Sequence, residues 1–179
     1  VDEIRDDFAL RGRSELYRVD LKSMASAHRL HQGINLRGHQ VWASYEHFQE
    51  ILAIRNQPAD EELWDIVEFF SSHSDPNLFK ERHALSQSEF RKLVQPLIRT
   101  GHIVQDFRGG FRSVFVPEGV DRAELRKEYI RKLVEKFPVI TLRQLTQLAG
   151  PSFKPEELKA VLNAFEEDET LIKGFLIED

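Results

Sequence analysis

The chain contains no cysteine. This absence excludes disulfide bonds, thiolate zinc sites, iron–sulfur clusters and cysteine nucleophiles. The sequence also lacks a run of about 20 apolar residues, the length that a membrane-spanning helix requires. Acidic residues occur near the N-terminal end, where a signal peptide would have a basic and then an apolar stretch. From these absences we expect a cytoplasmic protein with no membrane partner.

Motifs for catalysis and nucleotide binding are missing as well. The sequence has neither a GxxxxGK[ST] phosphate loop nor a GxSxG elbow. His28 and His31 would share one helix face, but no third ligand completes a metal-site spacing. We therefore predict no catalytic residue, no metal and no cofactor in this chain. The remaining histidines are expected at the surface or at helix caps: His39, His47, His73, His83 and His102.

The composition is that of a globular protein with an uneven charge distribution. Of its 179 residues, 41% are apolar and 31% are charged, and the net charge is -5. That net charge excludes a basic coat over the whole surface but allows a local basic face. Seven cations and four carboxylates lie between residues 80 and 120, whereas residues 150 to 179 carry three cations and eight carboxylates. We expect these two regions to contact different partners.

Helix signals in the last third of the chain follow a recognisable order. Asp121 precedes a run with helical spacing, Thr141 and Gln144 form a capping-box pattern, and Pro155 opens a third amphipathic segment. Residues 171–179 have the pattern of a β-strand. Helix, short helix, helix and strand is the order of a winged helix-turn-helix.

The same order occurs in the middle third. Asp60 can cap a first helix whose apolar face includes Trp64, a short second helix follows, and Ser86 with Glu89 is a capping-box pattern for the third. Two short strand-like segments come next, joined by the glycine-rich turn 107–110. The middle third is therefore predicted to be a winged helix with a complete wing.

A weaker copy of this pattern precedes both. Residues 34–37 and 40–43 are predicted to form a hairpin, and helical segments are predicted over 4–10 and 16–30. The regular separation of the predicted wings indicates a diverged structural repeat.

We predict a mainly α fold with small antiparallel β wings, organised as tandem winged helix-turn-helix units. Residues 1–56 form a helical region with a hairpin, a candidate degenerate winged helix. Residues 57–118 form a winged helix, and residues 119–179 a winged helix with a truncated wing. Because that wing has one strand and the chain lacks an initiator Met, we expect a fragment of a larger protein. The predicted core includes Leu93, Val94, Leu97, Leu133, Val134, Leu158, Val161, Leu162 and Phe165.

The cations of the middle unit are the candidate nucleic-acid-binding residues. In a winged helix the third helix enters the major groove and the wing touches the backbone, so cations at these places neutralise phosphates. Phe111 could stack on the polymer or belong to the strand core. The candidate residues are Arg91, Lys92, Arg99, Arg108 and Arg112.

The third helix of the last unit carries the opposite charge. Its acidic residues would repel phosphate, so we expect this unit to contact protein or a neighbouring domain. These residues are Glu156, Glu157, Glu166 and Glu167.

The segment VITLRQLTQLAG, followed by FKPEELKAVLNAFEEDETLIKGFLIED, resembles the winged-helix units that follow the motor in large superfamily 2 DNA helicases of the Lhr-like family. The resemblance covers roughly the last two thirds of the chain, and none of the motor motifs is present. It implies a non-catalytic module that helps an ATP-dependent helicase grip DNA or RNA.

Two other classes of function stay open. A winged-helix scaffold for protein interaction is favoured by the net acidity. A DNA glycosylase-like tandem winged-helix protein would need a catalytic base, and the sequence reveals none.

Overall fold

The computed structural model of the chain describes residues 4–5, 30–106, 108–137, 139–167, 171 and 174. These residues form seven α-helices and one five-stranded antiparallel sheet. The predicted mainly α fold with a small antiparallel sheet is therefore confirmed. No helix in these parts of the chain is both long enough and apolar enough to cross a membrane.

Two hairpins and one short edge strand make the sheet. The strands follow the spatial order β1–β3–β2–β4–β5, and every neighbouring pair is antiparallel. Gln32 of one hairpin pairs with Gln105 of the other, so the hairpin of the first third and that of the middle third share one sheet. The strands are β1 (Ile4–Arg5), β2 (His31–Ile34), β3 (Gln40–Ala43), β4 (Ile103–Gln105) and β5 (Phe111–Ser113).

The helices follow the predicted sequence of elements. A short 3₁₀ turn, Glu61–Leu63, leads into the second helix. The α-helices are α1 (Tyr45–Arg55), α2 (Trp64–Ser72), α3 (Pro76–Arg82), α4 (Gln87–Thr100), α5 (Arg122–Val134), α6 (Leu142–Ala149) and α7 (Pro155–Glu167).

The predicted helix-start signals act as expected. The Asp121 carboxylate accepts hydrogen bonds from the N–H groups of Ala123 and Glu124 in the first turn of α5. Ser86 with Glu89 and Thr141 with Gln144 form complete capping boxes at α4 and α6. Each box satisfies backbone N–H groups that helix geometry leaves without a partner.

The sheet lies between two hydrophobic clusters. Ile103 and Phe111 pack with α2, α3 and α4 on one face, whereas Val104 and Val41 pack with α1, α5, α6 and α7 on the other. Neighbouring residues of one strand enter different cores because side chains alternate across a sheet. Helices therefore cover both faces of the sheet.

The larger cluster draws on all three predicted units. Leu36 comes from the first, Val114 from the middle one and Ile130 from the last. The predicted limits after residues 56 and 118 fall in links between elements. The division into domains stays a prediction. Of the predicted core residues, most are buried, and those that are half-buried against the clusters are Leu93, Val161 and Leu162.

Three predictions near the N-terminal end are wrong. The first strand of the predicted hairpin spans His31–Ile34 and not residues 34–37, because residues 35–37 belong to the turn. Ile4–Arg5, expected in a helix, pairs with β3 as an edge strand. His31, expected on a helix face with His28, begins β2. An unpaired sheet edge offers backbone partners to an extended segment, and local spacing carries no information about such a distant edge. His28 and the rest of residues 6–29 lie outside the described residues.

The predicted final strand also falls largely outside them. Only Leu171 and Gly174 of residues 171–179 are described, and neither is in a strand. Phe107 of the predicted wing turn is likewise outside the described residues.

Arg126 joins the helices of the larger cluster. Its guanidinium makes two hydrogen bonds of 2.7 Å to the Glu157 carboxylate of α7. It also donates to the carbonyl oxygens of Ile54 in α1 and Ser152 before α7, and it lies 4.2 Å from the Phe153 ring centroid. The Arg126 side chain is 12% exposed and the Glu157 side chain 35% exposed, so the guanidinium end of the pair is largely removed from water.

Gly150 marks a close approach between α6 and the β2–β3 turn. Its φ of 86° is in the left-handed region, and a Cβ there would overlap the carbonyl of Leu36. Arg37 donates from Nε to the Leu148 carbonyl at 3.0 Å across the same contact. A side chain at position 150 would therefore face both backbone strain and a clash.

We predict that Arg126→Gln lowers the free energy of unfolding by about 2 kcal/mol, because it leaves Glu157 and two carbonyls without their donor. Arg131→Gln is the matched control: its 3.4 Å pair with Glu128 is exposed, so the loss should stay below about 1 kcal/mol. Urea unfolding measures both. Equal losses of unfolding free energy in the two variants would contradict the role of Arg126 in holding α1, α5 and α7 together.

We also predict that Gly150→Ala destabilises more than Gly119→Ala. Gly119 has a similar φ of 78° but open space around it, so its substitution isolates the backbone strain of about 1 to 2 kcal/mol. Gly150→Ala adds the clash with Leu36 and should cost about 3 kcal/mol in all. Thermal and urea unfolding of the two variants test this difference, and a smaller cost at Gly150 would rule out the close contact.

Candidate functional site

One exposed face of α4 carries cations and no carboxylate. The opposite face buries Phe90, Val94 and Leu97 in the smaller cluster. Arg91 and Lys92 lie three and four positions after Ser88, and Gln95 and Arg99 follow at the same spacing, so all five lie along one broad line on one side of the helix. We call this line the cationic stripe; it consists of Ser88, Arg91, Lys92, Gln95 and Arg99, all exposed.

Hydrogen bonds to Ser86 hold the one acid near the start of this helix at the cap. The Glu89 carboxylate accepts from the Ser86 hydroxyl at 2.6 Å and from the Ser86 N–H at 2.9 Å. These hydrogen bonds, that of the hydroxyl first, hold the pKa of Glu89 below its ordinary value of 4.5. Lys92 adds a smaller effect in the same direction. Glu89 is thus ionised and engaged at the cap.

Among the residues that the structure describes, the cations of the stripe have no close acidic partner. Within the described residues, no carboxylate oxygen lies within 4 Å of a side-chain nitrogen of Arg91, Lys92 or Arg99. Three positive charges on one solvated helix face therefore meet an approaching anion without an ion pair to break.

Arg108 occupies the turn of the β4–β5 hairpin. The Asp106 carboxylate accepts the N–H groups of Arg108 and Gly110, each at 2.8 Å. Gly109 takes the left-handed conformation, with φ 86°, and the N–H of Phe111 donates to the Ser74 carbonyl at 2.8 Å. The two bonds to Asp106 hold the turn, the bond to Ser74 joins β5 to the link between α2 and α3, and the Arg108 side chain is exposed at the tip of the turn.

Arg112 lies apart from the cationic stripe. It pairs with Val104 across the hairpin, on the sheet face that α1 covers, while α4 packs on the other face. Its guanidinium sits 3.8 Å from the Tyr45 ring centroid, and the Tyr45 hydroxyl donates to the Ser113 carbonyl. The structure thus groups three of the five candidate cations on α4, with Arg108 at the turn and Arg112 across the sheet.

Of the two roles expected for Phe111, the structure supports the one in the hydrophobic core. Its ring packs 5.4 Å from that of Phe70 and 5.9 Å from that of Phe90, measured between centroids. Phe111 is therefore not available for stacking on a polymer.

Sequence reasoning missed an exposed aromatic pair. Trp64, expected on the buried face of its helix, is 48% exposed, and Phe115 is 39% exposed. Their rings meet edge to face with centroids 6.5 Å apart. A tryptophan at the first position of a helix satisfies the helical apolar pattern, so that pattern gives no sign of its exposure.

The structure describes no group of three or more metal-ligating side chains in the parts of the chain it covers. The predicted surface position of His102 is wrong, although the residue does lie at the C-terminal cap of α4, where its N–H donates to the Leu97 carbonyl at 2.9 Å. It is buried beside Thr100, whose hydroxyl lies 2.8 Å from Nδ1, and burial is the main cause that lowers its pKa. Its position directly after the helix end at Gly101 turns the ring inward, which local sequence does not reveal.

The acidic residues of α7 divide between two roles. Glu157 is the ion-pair partner of Arg126, whereas Glu156, Glu166 and Glu167 are exposed. This helix presents carboxylates to solvent and no cationic stripe like that of α4.

Comparisons with protein-family models, with curated proteins and with solved structures found no match to this chain.

We predict that Ser86→Ala raises the pKa of Glu89 towards its ordinary value, since the hydroxyl hydrogen bond is the main cause of the lowered pKa. A group with a lowered folded pKa contributes stability above its unfolded pKa and loses it as pH falls through the folded pKa. The stability gap between the wild type and Ser86→Ala should therefore narrow on acidification. A carboxyl NMR titration measures the pKa of Glu89. Urea unfolding, repeated from neutral pH down through that pKa, measures the stability difference between the two proteins.

Thr141→Ala is the matched control for this experiment. It breaks the equivalent capping box of α6, whose partner Gln144 does not titrate. Thr141→Ala should lower the free energy of unfolding by about 1 kcal/mol at every pH of this titration. If the stability difference between the wild type and Ser86→Ala were also independent of pH, the coupling between Ser86 and the ionisation of Glu89 would be contradicted.

Proposed function

We propose that this chain is a non-catalytic, nucleic-acid-binding winged-helix module of a larger protein. The observation that carries the proposal is the cationic stripe of α4, which is exposed, free of carboxylates and followed by a hairpin with Arg108 at its tip. An ATP-dependent helicase is the candidate parent, and that part of the proposal rests on the resemblance alone.

The dimensions of the stripe suit a nucleic-acid groove. At 1.5 Å per residue, the outermost cations of the stripe, Arg91 and Arg99, are about 12 Å apart along the helix axis. The major groove of DNA is about 12 Å wide, so cations along such a helix can reach phosphates on both sides. Gln95 lies between Lys92 and Arg99, and Ser88 lies three positions before Arg91, so their polar groups can meet base edges beside the cations.

The hairpin supplies a second contact in this proposal. Arg108 projects from a turn that Asp106 holds in shape, a position suited to a backbone phosphate. Arg112 takes part only where the polymer passes around the β5 edge to the α1 side of the sheet. The net charge of -5 opposes binding elsewhere on the surface.

A second candidate function is protein interaction through the last unit. Three apolar side chains on and next to the link between α5 and α6 are exposed, an arrangement that favours contact with another protein surface. They are Phe137, Val139 and Leu142. This is the scaffold alternative, and nucleic-acid titrations distinguish it from the first.

We predict that Arg91→Ala/Lys92→Ala weakens binding to duplex DNA of different sequences alike. The slope of log K against log salt should fall by roughly two, because two phosphate contacts are lost. Fluorescence anisotropy with labelled DNA and RNA, duplex and single-stranded, gives the affinity and the slope. Single Arg108→Ala and Arg112→Ala variants then report which side of the sheet the polymer follows.

Lys154→Ala/Lys159→Ala is the matched control, because it removes the same charge from two exposed sites of the acidic last unit. Its salt slope should equal that of the wild type. Equal effects of the two double variants would show a general charge effect and contradict the stripe. Absence of binding to every oligonucleotide at low salt would overturn the proposal in favour of the scaffold function.

A further inference from the structure

The exposed pair of Trp64 and Phe115 has no role in the proposed nucleic-acid site. Two large aromatic side chains in contact with each other and open to solvent form an apolar surface that isolated exposed residues do not. Tryptophan is one of the residue types enriched at energetically dominant positions of protein interfaces. The pair therefore has the chemistry of an anchor point for another protein.

The pair is held in place before any partner arrives. Trp64 begins α2, and the following turns of that helix bury Ile66, Val67 and Phe70. The carbonyl of Phe115 accepts a hydrogen bond of 2.9 Å from the Gln49 side chain of α1. An anchor fixed in this way loses little conformational entropy on binding, which favours affinity.

Carboxylates flank the tryptophan on the same face. Asp65 lies four positions after Glu61, and Glu68 lies three positions after Asp65. All three lie with Trp64 along the outward side of α2 and its 3₁₀ turn. All three are exposed, and no Lys, Arg or His nitrogen of the described residues lies within 4 Å of their oxygens. We call these three residues the acidic row.

We propose that Trp64, Phe115 and the acidic row dock a Lys/Arg-rich segment of a partner protein. An apolar side chain of that segment covers the aromatic pair, while its cations meet the acidic row and the face of the Trp64 ring. Nucleic acid is disfavoured at this site, because the three carboxylates repel phosphate. The site is formed by α2, its 3₁₀ turn and the segment after β5, and it shares no residue with the cationic stripe of α4.

A set of labelled synthetic peptides tests the proposal on the full chain. The probe is a short amphipathic peptide of lysine and leucine. Its companions replace every lysine by glutamate or every leucine by serine. We expect the Lys/Leu peptide to bind, with an affinity that falls as salt is raised, and both companions to bind at least about tenfold more weakly. Binding of the Glu/Leu peptide with equal affinity would overturn the proposal.

Two variants identify the surface. Trp64→Ala should weaken the Lys/Leu peptide at least about tenfold. Glu61→Gln/Asp65→Asn/Glu68→Gln, which keeps side-chain size, should weaken it and flatten the salt dependence. The matched control is Glu156→Gln/Glu166→Gln/Glu167→Gln, which removes three exposed charges from α7 and should leave binding unchanged.

The outcomes are distinct from those of the nucleic-acid experiment. Arg91→Ala/Lys92→Ala should retain the peptide affinity, and Trp64→Ala should retain the DNA affinity, so either proposal can fail alone. Equal loss in the α2 and α7 charge variants would overturn the docking site. Concentration-dependent dimers that Trp64→Ala abolishes would overturn it too, because a second copy would then occupy the surface.

Discussion

Burial of both faces of one small sheet is the constraint on which the rest of the structure depends. Antiparallel sheets commonly leave one face to solvent, but here Ile103 and Val104, adjacent in β4, each belong to a different buried cluster. Helices must therefore cover the sheet on both sides. This requirement brings hairpins and helices from the whole described chain together, and it leaves the outer sides of α2 and α4 to solvent.

Charge is sorted among these outer faces. The outward side of α4 is cationic, that of α2 acidic with an aromatic pair, and that of α7 acidic. The net charge of -5 adds up charges from all of these faces, so it does not give the charge of any one face. Because screening limits the reach of each charge to about 10 Å at ordinary salt, separate faces of one small protein can favour partners of opposite charge.

The candidate site was predictable where its signals are local. The amphipathic pattern of α4 places Arg91, Lys92 and Arg99 outward, and the structure has them exposed as that pattern requires. The position of Arg112 depends on the alternation of side chains along β5 and on which helices cover each face of the sheet. The sequence of β5 does not indicate which helices cover which face. The exposure of Trp64 depends on where α2 meets the sheet and on the position of Phe115, 51 residues further along the chain.

The sequence by itself determined the helix starts at Ser86, Asp121 and Thr141, the β4–β5 hairpin and the mainly α class, because capping and periodicity act over a few neighbouring residues. Only the tertiary structure decided the pairing of β2 with β4, the strand at Ile4–Arg5 and the burial of His102. Those features arise from contacts between residues far apart in the chain. Whether such contacts form depends on how the two cores pack together, and a local sequence pattern does not encode that packing.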